Sequence, residues 1–424
     1  MSTFAKWEWG LSMRILHTAD WHLGRSLEGR SRQEEQEQFI DELCGIVAQE
    51  QVHLVMLSGD IFDTFNPPAA AEELYCDALA RLADGGRRAV AVIAGNHDSP
   101  DRLCAVRALA QRLGIALFGY PTDDPSASVA ASGRVRRVAS GPGWVEVAVP
   151  GVDHSAVVLA LPYPSESRLN EVLQATLAES DLQRAYSDRV ASHLAGLARN
   201  FRPDAVRLVM SHIFMAGGAE TESERPIQVG GAYTVSPTAM PAGAQYVGLG
   251  HLHRPQRMHL APAYTRYAGS PLAYSFSEAG YAKSVTVLDA TPAMAEAEVR
   301  EIVLSAGRPL VRWKAAEGLA QVARWVDDGK DANAWIDLEV TVPRALTMDE
   351  IQTLRKMHPG FIHIHPVFTD DEVAAASEDA APPTLQEQFE RFYRSRKGGG
   401  APSEELTRLF LELVNAPEDG EVEL

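Results

Sequence analysis

The chain has 424 residues, enough for two or three domains with buried cores, and its 46% hydrophobic and 23% charged make-up is that of a soluble globular protein. No run reaches the ~18 apolar residues of a membrane span. Residues 1–12, MSTFAKWEWGLS, lack the apolar stretch of a secretory signal and read as a leader extension, with Met13 as an alternative start. The net charge of −18 argues against broad nonspecific attraction to polyanions, although half of it sits in residues 370–424.

From Met13 to Leu288, short β-rich runs (MRIL, VHLVML, AVAVIA, RLVMS, YVGLG, SVTVL) alternate with helical or loop stretches. That alternation predicts a layered α/β domain over 13–288, with helices covering the sheets. Residues 33–50 carry Phe39, Ile40, Leu43, Ile46 and Val47 on one helical face. PPAAAEELYCDALARLAD opens with proline before a similar face, a normal helix start. Cys44, Cys76 and Cys104 lie in helix-like stretches without C-x-x-C spacing. An odd, sparse count points to packing thiols and a reducing, cytoplasmic compartment.

The small-residue stretch DATPAMAEA (289–297) reads as a linker into a second region, 289–369. There the pattern runs strand (VREIVL), strand (LVRWKA), helix (317–328), strand (WIDLEVTV), helix (347–357) and strand (FIHIHPVF), a small α+β domain. His363 and His365 would share one strand face, with Ile362 and Ile364 on the other. No carboxylate motif accompanies them, so they read as structural. The last region, 370–424, opens with the disorder-prone composition DDEVAAASEDAAPP. Two amphipathic helices follow: Thr384 with Glu387 forms a capping box before Leu385, Phe389, Phe392 and Tyr393, and Leu406, Leu409, Phe410, Leu413 and Val414 make a second stripe. Such helices pack on their own domain or dock on another protein, and their place behind an acidic linker favours docking.

Five motifs sit where β-rich runs end: Asp20 and His22 in ILHTADWHLG, Asp60 and Asp63 in VMLSGDIFD, Asn96 and His97 in VIAGNHDSP, His212 in LVMSH, and His251 and His253 in GLGHLHRPQ. Each alone is weak. Together they fit the way open α/β sheets deliver polar side chains from strand carboxyl ends into one crevice. Asp, Asn and His without Cys suit Mn²⁺ or Fe²⁺, with Zn²⁺ and Mg²⁺ as further options. So many ligand-type side chains exceed one coordination sphere, and a two-ion site with a bridging carboxylate accounts for them.

The order D-x-H, G-D-x-x-D, G-N-H-D, S-H, G-H-x-H resembles the calcineurin-like metallophosphoesterase superfamily. With HTADWHLGR, ESERPIQVGG, GHLHRPQ and GSPLAYSFSE, the chain from Met13 onward is similar to the nuclease subunits of bacterial SbcC–SbcD-type complexes. The resemblance implies a layered sheet sandwich flanked by helices, an α+β capping domain over 289–369 and a helical tail over 370–424 that docks on a partner. It implies that Asp20, His22, Asp60 and His253 hold one ion. Asp60 would bridge to a second ion held by Asn96, His212 and His251, with Mn²⁺ preferred over Mg²⁺ or Fe²⁺. His97 corresponds to a catalytic histidine outside the ligand set, and Asp63 to a carboxylate that orients it. Arg25 is a candidate DNA contact or a surface arginine beside the site. His17 is expected to pack or support, Asp98 to fix the G-N-H-D turn, and Tyr163 to face substrate or close a proline-flanked loop.

Implied with these are 3′–5′ exonuclease action on double-stranded ends, endonuclease action at hairpins, an SMC-type ATPase partner (SbcC-like), a homodimeric nuclease core and no membrane. In-line hydrolysis by an activated water follows from two cations neutralising the phosphodiester. Protein phosphatases of this superfamily read G-D-x-x-D-R-G and G-N-H-E, whereas here the second motif continues DTFNPP and the third ends in Asp98. The remaining alternatives are another phosphodiesterase or phosphatase of this superfamily and a scaffold without chemistry.

Overall fold

In the computed structural model, residues 12–126, 132–165, 179–224, 233–368, 384–396 and 402–414 are described. Most of the leader, the acidic stretch 370–383 and the PIQVGG segment lie outside them. Continuous apolar strands bury both faces, and alternate residues of each strand feed different cores. Leu16, Val55, Leu57, Val90 and Val92 join one cluster, while Ile15, Leu54, Met56, Ala91 and Ile93 join another.

Those residues belong to a six-stranded sheet in the order Glu298–Val303, Ser284–Ala290, Met13–Thr18, Leu54–Ser58, Ala89–Ile93, Ile115–Phe118. Its last four strands run parallel, and Ser284–Ala290 and Glu298–Val303 add antiparallel on the other side. A seven-stranded sheet has the order Gln256–Arg257, Thr265–Tyr267, Tyr246–Gly250, Ala205–His212, Ser155–Leu161, Trp144–Ala148, Arg136–Gly141. Its Val158, Leu208, Met210 and Tyr246 share the second cluster with Ile15, Met56 and Ile93, so the two sheets pack face to face. Helices Gln33–Gln49 and Ala69–Leu82 cover the outer face of the first sheet through Phe39, Leu43, Leu74 and Leu79. Helix Glu179–Leu197 covers the second through Val190 and Leu194. The predicted layered sandwich flanked by helices is what forms.

This first unit comprises residues up to Arg312 with Asp331–Asp337 and Gly360–Ile362. It therefore extends past the boundary expected after Leu288. VREIV does not open the small domain: Glu298–Val303 pairs along its length with Ser284–Ala290 as the edge of the first sheet. DATPAMAEA connects those two strands rather than two domains. An antiparallel edge strand is half polar and looks the same in sequence whichever sheet it joins.

The second unit comprises Trp313–Lys330, Leu338–Pro359 and His363–Leu424. It contains helix Leu319–Asp327, helix Met348–Met357 with its Thr347–Glu350 capping box, and much of a three-stranded sheet in the order Leu310–Ala315, Trp335–Val342, Phe361–Phe368. The rings of His363 and His365 stack on one face of the last strand, with centroids 5.5 Å apart. Tail helices Leu385–Arg396 and Glu404–Val414 pack on each other through stacked Phe389 and Phe410. Leu385, Phe392 and Leu409 stay exposed. Among the described residues no helix is long and apolar enough to cross a membrane.

Candidate metal centre

Each of the five motifs follows a strand. Asp20 and His22 come after Met13–Thr18, Asp60 after Leu54–Ser58, Asn96 and His97 after Ala89–Ile93, His212 ends Ala205–His212, and His251 and His253 follow Tyr246–Gly250. The chain then turns sharply. Asp20, His22, Asp60 and His251 all adopt positive φ (56, 46, 50 and 109°) without being glycine. Such conformations cost of order 1–3 kcal/mol each and persist where surroundings over-determine them. Here crossed main-chain bonds do so: Asp20 N–H donates to Gly59 O and His22 N–H to Asp60 O, each at 3.0 Å. His251 N–H donates to Asp20 Oδ1 at 2.8 Å and His97 N–H to Asp60 Oδ1 at 2.9 Å. Gly95 makes the approach of two turns feasible, since a Cβ there would lie 2.1 Å from Asp60 Oδ1.

The side chains converge in three overlapping groups: Asp20 with His22 and His253; His22 with Asp60 and His97; and Asp60 with His212 and His251. Within each group the ligand-type atoms lie within 4.8 Å of one another, and all seven residues are buried. His22 Nε2 and His253 Nε2 face each other at 3.0 Å. Asn96 Oδ1 reaches His212 Nε2 at 2.8 Å, which adds the amide to the third group. His212 is oriented by its Nδ1–H, which donates to Ser58 O at 2.9 Å.

Electrostatics match a cation site. Burial pushes His22 down to about 4, His251 down to about 3 and His253 well below its usual range, so each presents a neutral ring with a lone pair. Burial also drives the Asp20 carboxyl well upward, and among the described residues its Oδ2 has no hydrogen-bond partner. A buried carboxylate oxygen in that position calls for a cation. Burial opposes charge on Asp60 too, but His212 and His97 outweigh it and hold the carboxylate far down. Burial likewise opposes charge on His212, but its attraction to Asp60 prevails and raises it to about 9. The donor set therefore fits divalent ions that take carboxylate, amide and imidazole ligands.

His97 sits at the edge of this cluster, its Nε2 3.9 Å from Asp60 Oδ2. Its Nδ1–H donates to the main-chain carbonyl of Asp63 at 2.6 Å. That corrects the expected role of Asp63: the contact with His97 comes from its backbone, while its carboxylate lies 3.5 Å from His22 Nδ1 and 3.6 Å from Arg25. Arg25 is turned inward. Its guanidinium donates to Ser223 O at 3.0 Å and lies over the Tyr274 ring, leaving its side chain 19% exposed. Asp98 accepts from Gly95, Ile61 and Phe62 N–H and so pins the G-N-H-D turn to the one before it. His17 is buried, its Nδ1 2.9 Å from Tyr246 Oη and its ring against Gly248, a packing role. The Tyr163 ring stands edge-on to His212 at 6.4 Å.

Several supporting residues carried no signal in sequence beyond lying in motif flanks. Tyr274 packs edge-on to His22 and His253, and its hydroxyl bonds Trp21 O. Lys283 pairs with buried Glu278 and also donates to His253 O. Ser223 and Glu224 contact the ring and main chain of His253. His363 and His365 belong to no ion-holding cluster among the described residues.

The calcineurin-like phosphoesterase family profile matches residues 13–255, a span that holds all five motifs. The SbcD subunit of the nuclease SbcCD of Bacillus subtilis is 50% identical over 407 residues, covering 96% of this chain and 99% of that protein. Proteins of the same name from Rhodobacter capsulatus and Escherichia coli K12 are 35% identical over 289 residues and 30% over 352. They cover 65% and 82% of this chain, and 66% and 83% of their own lengths.

Proposed function

The chain belongs to the calcineurin-like phosphoesterase family, and within it to the SbcD nucleases; from that premise we propose how its residues divide the work. It is a metal-dependent DNA nuclease of the SbcCD type. Asp20, His22, Asp60 and His253 would hold one divalent ion, and Asn96, His212 and His251, again with Asp60, would hold a second. The observation that carries this assignment is the overlap of the three buried groups at His22 and Asp60. The ions, Mn²⁺ in preference to Mg²⁺ or Fe²⁺, would neutralise charge on the phosphodiester and acidify the attacking water when bound.

The chain's own groups do the rest. The Asp63 carbonyl can only accept, so His97 keeps its proton on Nδ1 and presents Nε2 to the cleft. When protonated, Nε2 donates to the leaving 3′-oxygen, a contribution of about 10²–10⁴ in rate. Asp63 acts as a positioning residue through its main chain. Arg25, held inward, shapes the site more than it reaches for DNA. The nuclease cuts double-stranded ends 3′–5′ and opens hairpins, works as a homodimer in the cytoplasm, and docks on an SbcC-like SMC-type ATPase through the tail helices, whose exposed Leu385, Phe392 and Leu409 support that role. The α+β capping domain read in sequence over 289–369, its opening strand now assigned to the first sheet, serves to shape the DNA path.

The test compares duplex DNA, hairpin DNA and a phosphate monoester with Mn²⁺ or Mg²⁺, with and without the SbcC-like partner. Cleavage of DNA that the partner stimulates, abolished in His97→Ala while metal is still bound, is the expected result. Turnover of the monoester alone would reject the nuclease roles, and no turnover with any metal would leave a scaffold.

A further inference from the structure

The flank TESE (221–224) precedes His253 by nearly thirty residues in sequence, yet it encloses that proposed ligand. Ser223 is buried, and its Oγ lies at hydrogen-bond distance from His253 Nδ1. The same Oγ is 2.9 Å from Thr221 Oγ1, which in turn is 2.7 Å from Glu224 Oε2. The other oxygen of that carboxylate, Oε1, accepts the main-chain N–H of His253 at 2.8 Å. Glu224 Oε2 also accepts the Thr221 main-chain N–H, at 2.6 Å, so the carboxylate is held in place from two sides.

The direction of every bond in this chain is set from its far end. A carboxylate only accepts, so Thr221 donates its hydroxyl proton to Glu224. Thr221 Oγ1 then accepts from Ser223, whose own hydroxyl proton is thereby committed. Ser223 Oγ is left as an acceptor toward the ring, and the proton between them must come from His253 Nδ1. The ring is fixed as the Nδ1–H tautomer, with its lone pair on Nε2, the atom that faces His22 Nε2 at 3.0 Å. Apart from the serine, Glu278 Oε1 lies 4.0 Å from Nδ1, beyond hydrogen-bond reach.

We propose that Thr221, Ser223 and Glu224 form a hydroxyl relay that positions His253, selecting the tautomer that binds the ion shared with Asp20 and His22. These are positioning residues; none of them touches substrate. The inference rests on the two-ion reading above and adds to it an asymmetry: the relay serves one ion and leaves the ion of Asn96, His212 and His251 alone. Removing an outer partner of a ligating histidine weakens metal affinity by about 10–100-fold.

The test is calorimetric titration of the full-length protein with Mn²⁺, comparing wild type, Ser223→Ala and Ser223→Thr, with thermal unfolding as a check on folding. In the wild type two ions bind. In Ser223→Ala one ion weakens by about 10–100-fold and the other keeps its affinity; Ser223→Thr, which retains the hydroxyl, restores the wild-type isotherm. Long-range ¹H–¹⁵N spectra of histidine-labelled protein should show His253 protonated at Nδ1 in the wild type and lose that signature in Ser223→Ala. Two ions bound to Ser223→Ala with unchanged affinities, or a wild-type His253 protonated at Nε2, would overturn the relay. A wild type that binds fewer than two ions would instead reject the two-ion reading on which it rests.

Discussion

Two stretches of the chain, GHLHRPQ and FIHIHP, place histidines two residues apart, and the structure treats them oppositely. In Phe361–Phe368 the backbone stays extended, so His363 and His365 stand on one face and stack. After Tyr246–Gly250 the strand breaks at His251, φ 109°, and the two rings part. His251 joins Asp60 and His212, while His253 joins Asp20 and His22. Spacing is shared; what differs is the bend and the companions. A lone H-x-H pair in a strand is a surface feature, whereas the same pair at a turn among buried carboxylates joins two different clusters of ligand-type side chains.

The sharpest way to break this contrast is to remove the close approach that assembles the companions. Gly95→Ala introduces a Cβ 2.1 Å from Asp60 Oδ1 and 2.2 Å from Asp60 N. Displacing the Asp60 carboxylate by even about 1 Å should cost at least ~10²-fold in cleavage, and Mn²⁺ titration should show both ions weakened. Wild-type stoichiometry and rate in that variant would contradict the account.

Next in size are His251→Ala and His253→Ala, which should each remove a different ion. Titrations of the two variants should each report one retained ion, and cleavage should fall by more than the ~10–100-fold expected for an outer-shell change. Identical metal-binding defects in both would show that the pair serves one centre.

Burial separates the two regions as well, and the buried ion pair beside the Tyr274 ring gauges its worth. Arg32 and Glu35 form a buried ion pair, with Trp335 Nε1–H donating to Glu35 at 2.9 Å. Burial opposes the charge on Glu35, but Arg32 outweighs it and holds the carboxyl below its ordinary 4.5. A depressed carboxyl contributes stability fully above its unfolded value, and this is lost as pH falls through the folded one. Glu35→Gln should therefore destabilise by roughly 3 kcal/mol at pH 7. Urea unfolding should show the gap to wild type narrowing as pH drops below 4.5, and a gap that widens would be the wrong sign. Smallest of all, His363→Ala and His365→Ala should change stability by at most ~0.5 kcal/mol. They should leave cleavage and Mn²⁺ binding untouched, and a loss of either would give the second pair a function.

Much of this was legible in sequence because chemistry and period coincide. Apolar runs with both faces buried marked the strands, and Asp20, His22, Asp60, Asn96, His97, His212, His251 and His253 stand at their ends as ligand-type residues. What escaped was carried by tertiary contact or by main-chain atoms. The left-handed turns at Asp20, His22 and Asp60 exist because neighbouring loops bond across them, which no local propensity encodes. The contact of Asp63 with His97 uses a carbonyl that every residue possesses. Thr221 and Ser223 are ordinary loop residues until the fold brings them against His253. Glu298–Val303 looked like the start of a new domain because its polar face is as natural at a sheet edge as in a small separate sheet.

The central claim is that one bridging carboxylate, Asp60, joins two ions through ligands drawn from all five motifs. Anomalous diffraction from crystals of the protein grown with Mn²⁺ tests it most directly. The account predicts two peaks flanking Asp60, one among Asp20, His22 and His253 and the other among Asn96, His212 and His251. A single peak, or a peak between His363 and His365 with none at Asp60, would contradict it.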